Sequence, residues 1–171
     1  MEEYLLTGGP GSGKSSIILY LEAYCGEHII REAAEDRIRL RQAMGVSAPW
    51  TEKEHQNKII DLQKLRKGRV HPDAARVFID RDIPDGLAYN GPETEVYQRL
   101  VSESSAQKYK KVFLVELLDE TQNSNYRPEN REEAERLGAK MKEIYSGLGC
   151  EIVRVPAGAL EERAKVILEN L

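Results

Sequence analysis

An α/β fold built around a parallel sheet is the architecture this chain predicts, and three observations carry the prediction. Five short apolar runs rich in strand formers alternate with longer segments of helical periodicity. A glycine-rich stretch, Gly8-Gly9-Pro10-Gly11-Ser12-Gly13-Lys14-Ser15, joins the first run to the first helix in the GxxxxGK(S/T) pattern of a phosphate-binding loop. No internal repeat or low-complexity segment interrupts the alternation, so residues 1–171 are expected to form one domain built around that loop.

The elements follow in order. Tyr4-Leu5-Leu6-Thr7 reads as a buried strand, and Ser16 to about Cys25 as the helix after the loop, ended by Gly26. His28-Ile29-Ile30-Arg31 is a short second strand, and a helix runs from Glu32-Ala33-Ala34 through Ile38 and Leu40 toward Met44. Gly45 to Trp50 is a linker, with Trp50 read as a core or staple residue. Thr51 and Glu54 have the spacing of a capping box, and Ile59, Leu62 and Leu65 form the apolar stripe of the helix after it.

Ala75-Arg76-Val77-Phe78-Ile79 is the third strand and ends on Asp80-Arg81-Asp82. Pro84, Gly86, Asn90, Gly91 and Pro92 mark a loop. Glu93 to about Gln107 is a helix with Val96, Leu100 and Val101 inward. Lys111 to Val115 is the fourth strand, and Glu116 to Asn130 carries no period and reads as a mobile loop. Asn130 caps a helix whose buried face is Leu137, Met141, Ile144, Tyr145 and Leu148. Glu151 to Val155 is the fifth strand, and Leu160, Ala164, Ile167, Leu168 and Leu171 mark a last amphipathic helix.

The loop explains itself chemically. Glycines 8, 11 and 13 let main-chain N–H groups approach phosphate oxygens, and the helix that follows offers its positive N-terminus. Lys14 is expected to reach the β- and γ-phosphates, and the Ser15 hydroxyl to ligate Mg²⁺. The candidate nucleotide contacts are therefore Gly8, Gly9, Pro10, Gly11, Ser12, Gly13, Lys14, Ser15 and Ser16, with ATP or GTP as the nucleotide.

Composition narrows the partners. A net charge of -4 gives no general attraction to nucleic acid. No apolar run approaches the ~20 residues of a membrane span, and acidic Glu2 and Glu3 stand where a signal peptide carries basic residues. Cys25 and Cys150 lie far apart with no metal or redox spacing, as expected of two buried thiols in the cytoplasm. The oligomeric state is not encoded in any of these patterns.

In an open parallel sheet, ligands bind beyond the carboxyl ends of the strands, which brings forward Glu32, Asp80, Arg81, Glu116 and Pro156. Asp80 and Glu116 each follow an apolar run, as a Walker B carboxylate on Mg²⁺ does. Glu32 is the candidate base or hydroxyl anchor. Arg127 and Arg131 lie in and after the polar loop, where a lid would use them to stabilise transition-state charge.

These residues together resemble the P-loop kinase-like ATPases of the AAA-domain group that includes the nicotinamide riboside kinase domain of NadR and an animal GTP- and phosphoinositide-binding protein named for a TRPL translocation defect. The likeness runs from Leu6-Thr7 through the glycine loop, Arg31-Glu32-Ala33-Ala34, Phe78-Ile79-Asp80-Arg81 and Pro84-Asp85-Gly86-Leu87-Ala88-Tyr89. It continues through Val112-Phe113-Leu114, Tyr126-Arg127, Arg131-Glu132, Val155-Pro156 and Glu162-Arg163. The resemblance implies a three-layer P-loop NTPase fold of the nucleoside/nucleotide-kinase type, with five parallel strands in the order 2-3-1-4-5. It implies Asp80 over Glu116 as the metal carboxylate, Asp80-Arg81 as a motif similar to that of deoxynucleoside kinases, Glu32 as base, arginines of the lid on the phosphates, and Pro156 and its neighbours against the nucleotide base. Leu117 to Tyr126 departs from the family pattern.

The expected function is an ATP- or GTP-dependent, Mg²⁺-requiring small-molecule kinase acting on a nucleoside-like acceptor. An ATPase or GTPase with water as acceptor, or a nucleotide-dependent regulatory binding module, is the alternative.

Overall fold

The computed structural model describes residues 1–118 and 130–171; the candidate lid residue Arg127 and most of the stretch read as a mobile loop lie outside them. Strand β1 (Glu2–Thr7) enters the fold directly, followed by α1 (Lys14–Cys25), β2 (Ile29–Ile30), α2 (Ala33–Ala43), α3 (His55–Lys67) and β3 (Arg76–Asp80). After them come the short α4 (Gly86–Tyr89), α5 (Tyr97–Ser105), β4 (Lys111–Val115), α6 (Arg131–Gly147), β5 (Ile152–Val155) and α7 (Leu160–Glu169). The sheet is wholly parallel in the order 2-3-1-4-5. That is the order the resemblance implies.

The period of two along each strand divides the core between the two faces. Tyr4, Leu6, Phe78, Phe113 and Val155 meet Ile17, Ile18 and Leu21 of α1 and Ala164 and Ile167 of α7. Tyr4 stacks on Phe78 and Phe113 at ring separations of 5.5 and 6.3 Å. On the opposite face Leu5, Val77, Ile79 and Val112 meet Tyr145 of α6. Three layers result, and the central strands are apolar on both sides, as a parallel sheet requires. Among the described residues no helix is long and apolar enough to cross a membrane.

Several local expectations are corrected. The second strand is two residues long and exists through its pairing with β3 rather than through its own pattern. Thr51 caps nothing: it closes a 3-10 turn over Pro49–Thr51, its hydroxyl donating to the Ala48 carbonyl at 2.8 Å, and α3 begins four residues later. The buried face of α3 is His55, Ile60 and Gln63, with Leu65 exposed. The segment after β3 is a 3-10 turn (Ile83–Asp85) running into α4, with Asp82 and Asp85 forming a reciprocal capping box. Helix α5 starts at Tyr97 rather than Glu93, and Leu40, Val101, Leu148 and Leu160 are exposed. Trp50 is exposed on a cavity wall, not in the core. Both cysteines are free thiols, with Cys25 exposed and Cys150 half-buried.

Candidate active site

The glycine loop leaves β1 at the carboxyl edge of the sheet. Gly8 has φ 139°, and a Cβ there would lie 2.4 Å from the Val115 carbonyl oxygen, so neither conformation nor space admits a side chain. A Cβ on Gly9 would meet the Ala134 carbonyl oxygen of α6 at 2.3 Å. Gly13 is the N-cap of α1 and supplies no side-chain cap, leaving that helix N-terminus to a ligand.

Lys14 is buried, and its Nζ donates to the carbonyls of Gly8 and Gly9 at 3.1 and 3.0 Å and to Ser12 Oγ at 3.0 Å. The ammonium is thus held inside the loop's own curve, where phosphate oxygens would replace the carbonyls. Arg163 of α7, also buried, completes the loop from behind. Its guanidinium donates to the carbonyls of Ser12 at 2.7 Å, Glu116 at 2.8 Å and Pro156 at 3.1 Å. One side chain therefore ties the phosphate loop to the ends of β4 and β5.

At the end of β3, Asp80 is buried beside Ser15, and its Oδ1 has no hydrogen-bond partner among the described residues. Burial, reinforced by the nearby Glu32 carboxylate, pushes Asp80 up to about 6, against the pull of Lys14, the Ser15 hydrogen bond and Arg81. A buried carboxylate with an open oxygen next to a loop hydroxyl fits one corner of a Mg²⁺ site whose remaining ligands are phosphates and water. No cluster of three or more His, Cys, Asp or Glu among the described residues could hold an ion alone. Glu116 is engaged elsewhere, in an ion pair with Arg154 of β5.

Arg81 is the one non-glycine with positive φ among the described residues, at 56°. That strained posture is held by its N–H donating to Leu6 O at 3.0 Å and by its carbonyl accepting from Gln63 Nε2 at 3.1 Å. It turns the guanidinium toward the loop. Arg81 Nη2 donates to the Gly8 carbonyl at 3.1 Å and Nη1 to the Tyr89 hydroxyl at 3.2 Å, with Glu32 and Asp85 each 3.6 Å away. Burial works against its charge, but Tyr89, Glu32, Asp85 and Asp80 together hold the guanidinium above its ordinary value. Behind it, Asp85 accepts from Thr7 Oγ1 at 2.6 Å and from the Tyr145 hydroxyl, and burial raises its own carboxyl.

Glu32 stands at the N-terminus of α2, across from Arg81, and lines a cavity of about 570 Å³. Pro10 borders this cavity on the loop side, while Trp50, His55 and Gln63 come from the α2–α3 side and Tyr89 from α4. The sequence reading missed His55 and Gln63, because polar residues on an otherwise apolar helix face look like the solvent side. Arg131, at the first turn of α6, pairs with Glu135 at 3.1 Å and donates to the Leu118 carbonyl at 3.3 Å. Thus the structure gathers the glycine loop, Lys14, Ser15, Glu32, Asp80 and Arg81 in one place, while Ser16 is exposed and Pro156 joins through its carbonyl.

A protein-family model described as an AAA domain matches residues 3–163. A search of the curated proteins finds no match. Among solved structures the chain is similar to NadR in complex with NAD and AMP-PNP, with a TM-score of 0.75 at 13% identity over 98% of this chain and 49% of that one. The chain therefore spans about half the length of the NadR structure. It is also similar to the deoxyadenosine kinase of M. mycoides with bound dATP (TM-score 0.65, 14% identity, 99% and 98% of the two chains). A third is the thymidylate kinase of Ehrlichia chaffeensis (TM-score 0.66, 14% identity, 99% and 97%). At these identities the likeness establishes a shared fold.

Proposed function

The chain belongs to this AAA-domain family, and from that premise we propose that it is a P-loop phosphotransferase moving the γ-phosphoryl group of ATP or GTP to the hydroxyl of a small, nucleoside-like molecule. The observation that carries this reading is the cavity bordered by Pro10 of the glycine loop and by Glu32 and Arg81, with Asp80 beside them. A hydrolase, for which water is the acceptor, has no use for a cavity of about 570 Å³ in that place.

Each residue has one task. The loop amides and the N-terminus of α1 receive the phosphates, and Lys14 exchanges its carbonyl partners for β- and γ-phosphate oxygens. Ser15 and Asp80 would hold Mg²⁺, which would supply neutralisation of the phosphate charge. The acceptor hydroxyl oxygen bonds to the γ-phosphorus as the bond to the β,γ-bridging oxygen breaks, its proton passes to Glu32, and the nucleoside diphosphate leaves. Arg81, fixed between Glu32 and the loop, orients that hydroxyl, and Arg131 with Arg127 stabilises the charge of the transferring group. Pro156, held by Arg163, borders the nucleotide base.

Mg²⁺-dependent ADP and GDP release, measured with and without pooled nucleoside-like acceptors, tests the proposal. A sharp rise with one pool is the expected result. Equal slow release with and without acceptors would overturn it.

A further inference from the structure

Asp85 is buried behind Arg81, and its two oxygens have different partners. Oδ2 is accounted for by local structure. It accepts from the Asp82 N–H at 3.2 Å, which closes the capping box of the 3-10 turn, and from the Tyr145 hydroxyl of α6. Oδ1 serves no cap. It accepts from Thr7 Oγ1 at 2.6 Å and lies 3.6 Å from Arg81 Nη1. Burying a whole carboxylate is costly, and capping a single turn needs only one oxygen. The second oxygen therefore calls for a reason outside the turn.

The Oδ1 contacts close a ring. Thr7 is the last residue of β1 and is joined covalently to Gly8, where the phosphate loop begins. The Gly8 carbonyl accepts from Arg81 Nη2 at 3.1 Å, and Nη1 of the same guanidinium faces Asp85 Oδ1. Arg81 is thus tied to the end of β1 twice, once through Gly8 and once through Asp85 and Thr7. Its other ties are less permanent. The Gly8 carbonyl is shared with Lys14, Tyr89 is 47% exposed, and Glu32 is the group assigned the acceptor's proton. Arg81 Nε is buried and makes no hydrogen bond among the described residues, so few contacts set the direction of the guanidinium. Of those contacts, Asp85 is buried and has no task in the transfer itself.

Resting on the phosphotransfer reading above, we infer that Asp85 is a positioning residue, whose Oδ1 fixes the Arg81 guanidinium against Thr7 so that guanidinium and phosphate loop keep one register through the transfer. Oδ2 serves the fold. Asp85 acts through Arg81, and Thr7 is its anchor on the strand that leads into the loop.

Three variants of the full chain separate the two oxygens: Asp85→Asn, Thr7→Val on the Oδ1 side, and Tyr145→Phe on the Oδ2 side. The first readout needs no turnover. In arginine-¹⁵N-labelled protein, the Arg81 side-chain signals are assigned by their loss in Arg81→Lys. Restricted rotation should keep the Arg81 Nη–H signals separate in the wild type and in Tyr145→Phe, and they should merge in Asp85→Asn and Thr7→Val. The second readout is nucleoside-diphosphate release with the acceptor pool that stimulates it. Asp85→Asn and Thr7→Val should lower kcat about tenfold with the nucleotide KM within about threefold. Tyr145→Phe should lower the thermal transition with kcat within about twofold. Placed in an Arg81→Lys background, Asp85→Asn should cost no more than about a further twofold, because its effect runs through the guanidinium. Should Asp85→Asn not fold, Thr7→Val, which keeps the side chain's shape, decides. Arg81 signals unchanged in the Oδ1-side variants, additive losses with Arg81→Lys, or an equal kcat loss in Tyr145→Phe would overturn the inference while leaving phosphotransfer standing. Release that no acceptor stimulates would remove the phosphotransfer reading, and the Arg81 signals would still decide whether Asp85 holds the guanidinium.

Discussion

Arg163 and Ser12 lie 151 positions apart in the chain, yet the guanidinium of one donates to the carbonyl of the other at 2.7 Å. Two further carbonyls, of Glu116 and Pro156, complete its coordination. Arg163→Ala strands the buried Ser12 carbonyl and two partly buried ones, of Glu116 and Pro156, and should destabilise the fold by about 1–3 kcal/mol. Arg163→Lys keeps the charge but cannot span three directions. It should weaken nucleotide binding by about tenfold, read by calorimetry, with a much smaller loss of thermal stability. Equal affinity in the lysine variant would reduce Arg163 to a packing role.

Lys14→Ala should lower nucleotide affinity by between about 10- and 100-fold, because the bonds lost are charge-assisted. Titration with a fluorescent nucleotide measures this. Affinity within about twofold of wild type would mean that the loop binds phosphate without its lysine.

Asp80 supplies a pH signature whose sign is fixed. Its carboxyl is raised from 3.8 to about 6 in the folded state, so the native protein holds this proton more tightly than the unfolded chain. The stability this group contributes is full below about pH 4 and is lost as pH rises through about 6. Asp80→Asn should therefore stabilise the nucleotide-free protein at pH 7.5 by roughly 2–3 kcal/mol while abolishing Mg²⁺-dependent turnover. The wild type's affinity for Mg²⁺ should rise with pH as the carboxylate ionises, and low-Mg²⁺ turnover with it. Thermal melts across pH and a rate profile check both halves, and turnover retained by the asparagine variant would return the metal to Glu116.

Gly9→Ala should cost about 1–3 kcal/mol, since its Cβ would sit 2.3 Å from the Ala134 carbonyl of α6, which is backbone and cannot rotate away. Gly149→Ala, where a Cβ meets nothing within 4 Å, is the comparison. It isolates the left-handed backbone penalty of φ 74°, and chemical denaturation of the two variants separates clash from conformation.

The sheet was legible because five apolar runs alternate with helical periods, and the phosphate loop because its chemistry demands particular residues at particular spacings. Asp80, Arg81 and Glu32 followed from one rule, that ligands gather at the carboxyl ends of strands. What escaped was written across the chain rather than along it. Ile29 and Ile30 form a strand only because Phe78 and Ile79 lie beside them. Gln63 and His55 look like solvent-facing residues until the fold closes a cavity over them. Arg163, quoted only as part of a resemblance, discloses its task when the ends of two strands and the glycine loop converge on it.

The bond from Gln63 to the Arg81 carbonyl joins the cavity wall to the strained residue whose guanidinium donates to the glycine loop. Linkage requires that any effect of a molecule in the cavity on nucleotide affinity be returned by the same factor. Acceptor and nucleotide should bind synergistically, each lowering the other's dissociation constant, so that the protein commits its triphosphate when something is present to receive it.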